Sequence, residues 1–400
     1  MPQLISHYNV LKLASKIKNK ILARLYAWDL GKAYRKGLSC RATASERLER
    51  VDPRIITEGT SLRQKVIDQY HHRYQNRGYR VLFQMPSSGV GVFWFRDLIH
   101  VLQHVGIACA SITRSARDNR ESWLGFRPNI FVTMDQPEVL RSLDLDFINN
   151  YKKDKACLRL FTPIVTHRFP KHGLSAEDRW RLELACARRS ADAFFSMMEP
   201  EFYSEFWPEW ERAGIKYLPL PNACNPFRHY PVDGFKNLDY FTVTSFSFER
   251  AEVTHRYLKT IFEQYHGLWA GPGWGFGEGE IDPEKLRDYY AQSCISPSPL
   301  LNFLIEFPAE ITERSFSATA CGAFLITNKT PVTSRFFTPE ELVCVDNEKT
   351  FLDAFRYYLD RPGERNEIIL RGMRRVFHQH TYFHRIDDLI KWFDKNKELF

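Results

Sequence analysis

A chain of 400 residues is long for one core and comfortable for two domains of roughly 150 to 200 residues each. With 44% hydrophobic and 26% charged residues it has the composition of a globular protein, and no uncharged apolar run reaches the roughly 18 to 20 residues of a membrane span, which excludes a bilayer-crossing chain. The net charge of +8 is local: residues 1–50 hold eleven Lys or Arg against three Asp or Glu, while the other 350 residues balance at 45 against 45.

The basic arm comes first. Val10, Leu13, Ile17, Ile21, Leu25 and Trp28 recur at spacings of three and four, and Lys12, Lys16, Lys20 and Arg24 form a row on another side. This spacing predicts a basic amphipathic helix. Such a helix either lies in the surface of an anionic membrane or docks its apolar stripe on the body and leaves its lysines in water. Nucleic acid is not an expected partner, because the charge is confined to one arm and no binding motif accompanies it. Lysines interrupt the apolar positions of "MPQLISHYNVLKLASKIKNK", which is unlike a cleaved signal peptide. The expected location is therefore cytoplasmic, with the arm as a means of peripheral attachment at the inner membrane face. The eight cysteines stand singly, without a C-x-x-C pair or a histidine at ligand spacing, and read as reduced thiols rather than a metal site.

Past the arm, strand-like and helical segments alternate. "YRVLFQM", "IACASIT", "NIFVTM" and "ACLRLFTPIV" read as strands, with helices between them and a long helix over 176–195. A proline-rich stretch without periodicity, "IKYLPLPNACNPFRHYP", carries the domain boundary near Asn222 to Pro231. The rhythm then restarts with "YFTVTSF", a helix through "ERAEVTHRYLKTIFEQY", "GLWAGPGWGFG", a helix at "DPEKLRDYYAQS", then "AFLITN" and two closing helices. The expectation is an α/β protein with two Rossmann-like, doubly wound halves facing a cleft. Its divisions are a helical arm over 1–60, an N-terminal Rossmann-like domain over 61–222, a C-terminal Rossmann-like domain over 223–380, and a last helix over 381–400 that packs back on the N-terminal domain.

Ligands in such sheets lie beyond the carboxyl ends of the strands, and three loops there carry chemistry. "PSSGVGVFWFRD" offers Ser88, Gly89 and Gly91 ahead of a helix N-terminus, where bare N–H groups admit a phosphate or a sugar; the alternative is a tight turn and nothing more. Trp94 stands where a dinucleotide fingerprint needs its third glycine, which disfavours a nicotinamide dehydrogenase. "TPIVTHRFP" places His167 and Arg168 after a strand. Histidine there shuttles a proton near neutral pH or orients a hydroxyl, or is a surface loop residue. Asp135 is a second candidate for catalysis, or a helix cap. In the third stretch, "EITERSFSATACGAF", Pro308 and Gly322 bracket a predicted helix of about fourteen residues that sets Glu310, Arg314 and Ser317 on one face. They hold sugar hydroxyls and a diphosphate, or form an ordinary surface pair.

The segment from "EITERSFSATACGAFLITN" through "RYYLDRPGERN" to "HTYFHRI" resembles the C-terminal signature of GT-B glycosyltransferases, most closely the CgeB-like branch, over roughly Leu218 to the end. The resemblance implies a hexosyltransferase-like enzyme that takes a nucleotide-diphosphate sugar as substrate and needs no metal or other cofactor. Its acceptor would be a carbohydrate or a lipid-linked or surface glycan. It implies Arg314 beside the donor diphosphate, Glu310 and Thr312 near the sugar, Phe316 and Ser317 within the same donor motif, and Gly322 permitting the packing beneath. Gly273, in the loop "GPGWGFG", falls where relatives place donor-side loops, or marks a flexible surface loop. The family's ribose-binding glutamate is replaced by Ser317, and the paired glutamate of retaining relatives by Ala309. That departure leaves two rivals: a catalytically silent scaffold or glycan-binding module at a membrane surface, and a nucleotide-sugar epimerase.

Overall fold

The computed structural model describes residues 2–40, 42–46, 48–86, 90–113, 120–134, 137–162, 179–180, 183–184 and 190–399. The chain forms two units: one of Gln64–Asn225, Ala309–Glu313 and Gln379–Phe400, the other of Met1–Arg63, Pro226–Pro308 and Arg314–His378.

The first unit is built on a parallel sheet of β1 (Arg80–Gln84), β2 (Ala108–Ile112), β3 (Ile130–Met134), β4 (Leu158–Thr162), β5 (Ala193–Ser196) and β6 (Lys216–Pro219), in spatial order β2-β1-β3-β4-β5-β6. β1 and β3 read as apolar runs because they are covered on both faces. Trp123 packs on Phe131 at the centre of one layer, at a ring distance of 4.6 Å. The helix Tyr382–Lys395 belongs to this unit; Asp387 accepts a 2.6 Å hydrogen bond from Tyr70 Oη, and Trp392 Nε1 donates to the carbonyl of Tyr217 at 3.1 Å.

The second unit carries β7 (Leu238–Val243), β8 (Gly267–Ala270), β9 (Ser293–Ser298), β10 (Leu325–Asn328) and β11 (Val343–Val345), all parallel, in the order β11-β10-β9-β7-β8. In both sheets the strand order reverses between the first and third strands. That is the topological switch point of a doubly wound fold, β1/β3 in one unit and β7/β9 in the other.

Three expectations need correction, and one strand, β9, has no counterpart among the predicted elements. Residues 193–196 end the predicted helix 176–195 as β5, because Phe194 and its neighbours pair with β4 on one side and β6 on the other. The supposed linker contains β6, whose Pro219 lies at the strand end where no ladder hydrogen is required. β9, "SCISPS", is wholly buried and sits between β7 and β10. It tolerates Pro297 because its ladder with β7 ends at Ile295, and Thr242 Oγ1 then donates to the Pro297 carbonyl at 2.9 Å. Lastly, the helix expected from Pro308 begins only at Arg314 and runs to Ala320. The carbonyls of Ala309 and Ile311 instead accept from the Glu199 backbone N–H at 2.8 Å and from Asn222 Nδ2 at 2.9 Å, so those residues follow the first unit. Glu310 therefore does not share a helix face with Arg314.

The arm forms the helix Pro2–Leu38 and packs along the helix Phe248–Gln264. The contact is close enough that a Cβ at Gly37 would lie 1.9 Å from the Phe262 carbonyl oxygen. Asp29 Oδ2 stands 2.7 Å from both His255 Nε2 and Lys259 Nζ, and those neighbours, Lys259 first, hold its carboxyl below the ordinary range. The face that docks is Ala23, Ala27, Leu30, Ala33 and Tyr34. The stripe of Ile17, Ile21, Leu25 and Trp28, expected to dock if any did, faces outward. Among the described residues no cysteine is disulfide-bonded, and no helix is long and apolar enough to cross a membrane.

Candidate functional site

The second unit gathers positive charge at its switch point. Arg314, the first residue of its helix, sends Nη2 to the carbonyl of Val243 at the end of β7 and Nη1 to Ser298 Oγ at the end of β9, 3.3 Å away. One guanidinium thus spans the two carboxyl ends between which the strand order reverses. A second, Arg250, lies in the first turn of the helix Phe248–Gln264, where Ser247 Oγ caps by accepting from the Arg250 backbone N–H at 3.2 Å. Its Nη1 donates to Ser245 Oγ and to the Ser245 carbonyl. Burial first, and the neighbouring Arg314 charge second, pull the Arg250 guanidinium below its ordinary value. Two partly buried cations close enough to repel each other, beside a helix N-terminus, are an arrangement that can accept an anion. Among the described residues neither makes an ion pair with a carboxylate. Sequence reasoning found Arg314 and missed Arg250; the available signal was Ser-Phe-Glu-Arg directly after a strand, an N-cap followed by a cation at the strand's carboxyl end.

The helix Arg314–Ala320 is held rigidly. Gly322 takes φ +74° and closes it with hydrogen bonds from Ala323 N–H to the Ala318 carbonyl and from Gly322 N–H to that of Thr319, both 3.0 Å, the arrangement a Cβ opposes. A Cβ at Gly322 would also come within 2.9 Å of Ile55 Cγ2. Phe316 is fully buried against Phe336 and Phe337, so it anchors the helix in the core. Ser317 is 6% exposed and Ala309 2%. Thr312 and Glu310 are partly buried, and desolvation pushes the Glu310 carboxyl up to about 7.

The glycine loop lies at the ends of β7 and β8. Gly273 takes φ +88°, Trp274 Nε1 donates to the Thr244 carbonyl at 2.6 Å, and Phe246 N–H donates to that of Pro272 at 2.9 Å. Phe276 packs on Tyr34 of the arm at a ring distance of 5.8 Å. The loop is thus a packed element joined to the segment that carries Ser245 and Arg250.

In the first unit, Gly91 lies in the first turn of the helix Val90–His104, and a Cβ there would come within 2.6 Å of Met134 Cε at the end of β3. A groove of about 550 Å³ beside that helix is lined by Arg96, His100, Ser111 and Thr113 among others. Ser88, Gly89, Asp135, His167 and Arg168 lie outside the described residues.

Residues 250–391 match the family described as Glycosyl transferase-like. No curated protein sequence matches the chain. Among solved structures, sucrose-phosphate synthase from Thermosynechococcus elongatus superposes with a TM-score of 0.57 at 14% identity, covering 79% of this chain and 98% of that one. Alr3699/HepE of Anabaena, solved with UDP and glucose, gives 0.53 at 9% identity over 79% and 100%. The DNA-modifying enzyme β-glucosyltransferase, solved in the presence and absence of uridine diphosphoglucose, gives 0.52 at 11% over 80% and 99%. The fold is the two-domain α/β architecture of the GT-B glycosyltransferases. Within it, the switch-point arginines fall inside the glycosyl transferase-like domain.

Proposed function

We propose that this GT-B protein, a member of the CgeB-like branch, transfers a sugar from a nucleotide-diphosphate donor to a carbohydrate or lipid-linked acceptor. The observation that carries the reading is the pairing of Arg314, which bridges the carboxyl ends of β7 and β9, with Arg250, which holds the segment just past β7. A departing nucleoside diphosphate gains negative charge as the glycosidic bond to the sugar breaks, and two fixed cations beside a helix N-terminus stabilise that charge. In this reading the guanidiniums supply the positive charge that a divalent cation supplies elsewhere, so transfer proceeds in EDTA. Glu310, with its carboxyl near neutrality, and Thr312 attend the sugar; His167 and Asp135 are the residues assigned to proton transfer. The UDP-sugar ligands of HepE and β-glucosyltransferase make uridine diphosphate the first nucleotide to try. Basic residues within 1–50 would hold the enzyme at an anionic membrane surface, where a lipid-linked acceptor resides.

The test is calorimetric titration with UDP, GDP, ADP and dTDP, followed by nucleotide release from the matching sugar donors, with Arg314→Ala as control. Saturable binding of one nucleotide that Arg314→Ala weakens supports the reading; no binding to any of them overturns it. The buried Ser317 and Ala309, where relatives carry carboxylates, favour a second reading, a silent module. Binding of nucleotide without release of sugar to any acceptor, or to water, would select it.

A further inference from the structure

The arm helix is apolar on two opposite sides, and among the described residues only one of them is buried against the rest of the chain. At about 100° per residue, the docked face of Ala23, Ala27, Leu30 and Tyr34 lies roughly 150° around the helix from Ile17, Ile21, Leu25 and Trp28. Those four are 51%, 55%, 55% and 59% exposed, which is unusual for large apolar side chains aligned in one row. Cations border the row on both sides, Lys18 on one and Lys20 and Arg24 on the other, all exposed. Lys32 extends along it with Nζ 3.4 Å from the centre of the Trp28 ring.

We propose that this outward face is an interfacial anchor that lies in the headgroup region of an anionic bilayer, with the helix held by its other face to the donor-sheet unit. The occupant follows from the charge. A second copy of the chain would bring Lys20, Arg24 and Lys32 against their own equivalents, whereas anionic headgroups complement them and the acyl boundary takes the apolar row. The chain's whole excess of positive charge resides in residues 1–50, and the glycine loop meets the same helix through Phe276 and Tyr34. The bilayer therefore stands one packing layer from the donor-side rim. The inference deepens the membrane part of the proposed function, but its readout needs neither donor nor acceptor.

Flotation of the full chain is measured with vesicles of phosphatidylcholine alone and with vesicles in which about a third of the lipid is phosphatidylglycerol. Preference for the anionic vesicles by about tenfold or more, lost as salt approaches ~1 M, is expected. The triple variant Ile21→Gln/Leu25→Gln/Trp28→Gln should lower binding by about tenfold or more, as should Lys20→Glu/Arg24→Glu/Lys32→Glu, while both keep the parent's UDP affinity. Equal partition onto the two vesicle types, absence of binding, or undiminished binding of the apolar triple would overturn the proposal. So would concentration-dependent dimers of the parent that the apolar triple disperses, since the occupant would then be a second copy. Loss of UDP binding in Arg314→Ala with vesicle binding intact separates the anchor from the donor site.

Discussion

Arg365 and the Arg250–Arg314 pair sit in the same unit and are treated in opposite ways. Arg365 is fully buried on the helix Pro362–Gln379. It pairs with Glu49 and donates Nη1 to the carbonyls of Tyr358 and Leu359, at 2.5 and 2.7 Å, which are the last acceptors of the helix Glu348–Leu359. Its charge is neutralised and its donors close a helix end, as a buried ion pair requires. Arg314 and Arg250 donate to carbonyl and hydroxyl oxygens, and Arg250 feels the Arg314 charge more strongly than the opposing charge of Glu249. Arg365 thus meets a carboxylate where it is buried, whereas among the described residues Arg250 and Arg314 make no ion pair with one.

The largest effect that would break this contrast is on stability. Arg365→Ala strands the Glu49 carboxylate in a dry setting, so unfolding should be easier by roughly 3–5 kcal/mol, read as a fall in Tm of roughly 10 °C. Arg314→Ala and Arg250→Ala should leave Tm nearly unchanged, because each removes a cation that repels its neighbour. If Arg314→Ala lowers Tm as far as Arg365→Ala does, Arg314 is structural and the contrast fails.

Binding gives the next largest effect. Arg314→Ala should weaken UDP roughly ten- to hundredfold, the worth of one charge-assisted contact to a diphosphate, and Arg250→Ala about tenfold or less. In a double-mutant cycle by calorimetry the two should be non-additive, since both are assigned to one anion. Independent effects that sum would mean that the two guanidiniums serve different ligands.

How much of this was legible beforehand varies with what each residue depends on. Gly322 was readable because a helix stop is local chemistry: a residue free to take positive φ, and nothing distant. β1 to β4, β7, β8 and β10 were readable as apolar runs. β9 was not, because "SCISPS" is buried through pairing and through the Thr242 hydroxyl rather than through greasy side chains. β5 was hidden in a helical period that β4 and β6 override. The helix of the donor motif started six residues later than Pro308 suggested, because Glu199 and Asn222, far away in the chain, take the carbonyls. Arg250 escaped for the same reason: only the fold brings it to Arg314. The arm's spacing predicts a helix, but the apolar stripe does not predict its docking face. Alanine and glycine pack a helix closely through shape, and a hydrophobic pattern gives them little weight.

Glu310 provides the smallest effect, and it sharpens the contrast from the acidic side. Its carboxyl is raised by burial from an ordinary value of 4.5 to about 7, so the folded protein binds this proton more tightly than the unfolded chain does. The sign follows: the contribution to stability is fully present below about pH 4.5 and is lost as pH rises through about 7. Denaturation midpoints between about pH 5 and about pH 8 should fall in the parent and fall less in Glu310→Gln, by about 1 kcal/mol or less given the residue's partial exposure. A pH dependence identical in the parent and in Glu310→Gln would show that this carboxyl does not lose its proton across that range in the way its burial requires.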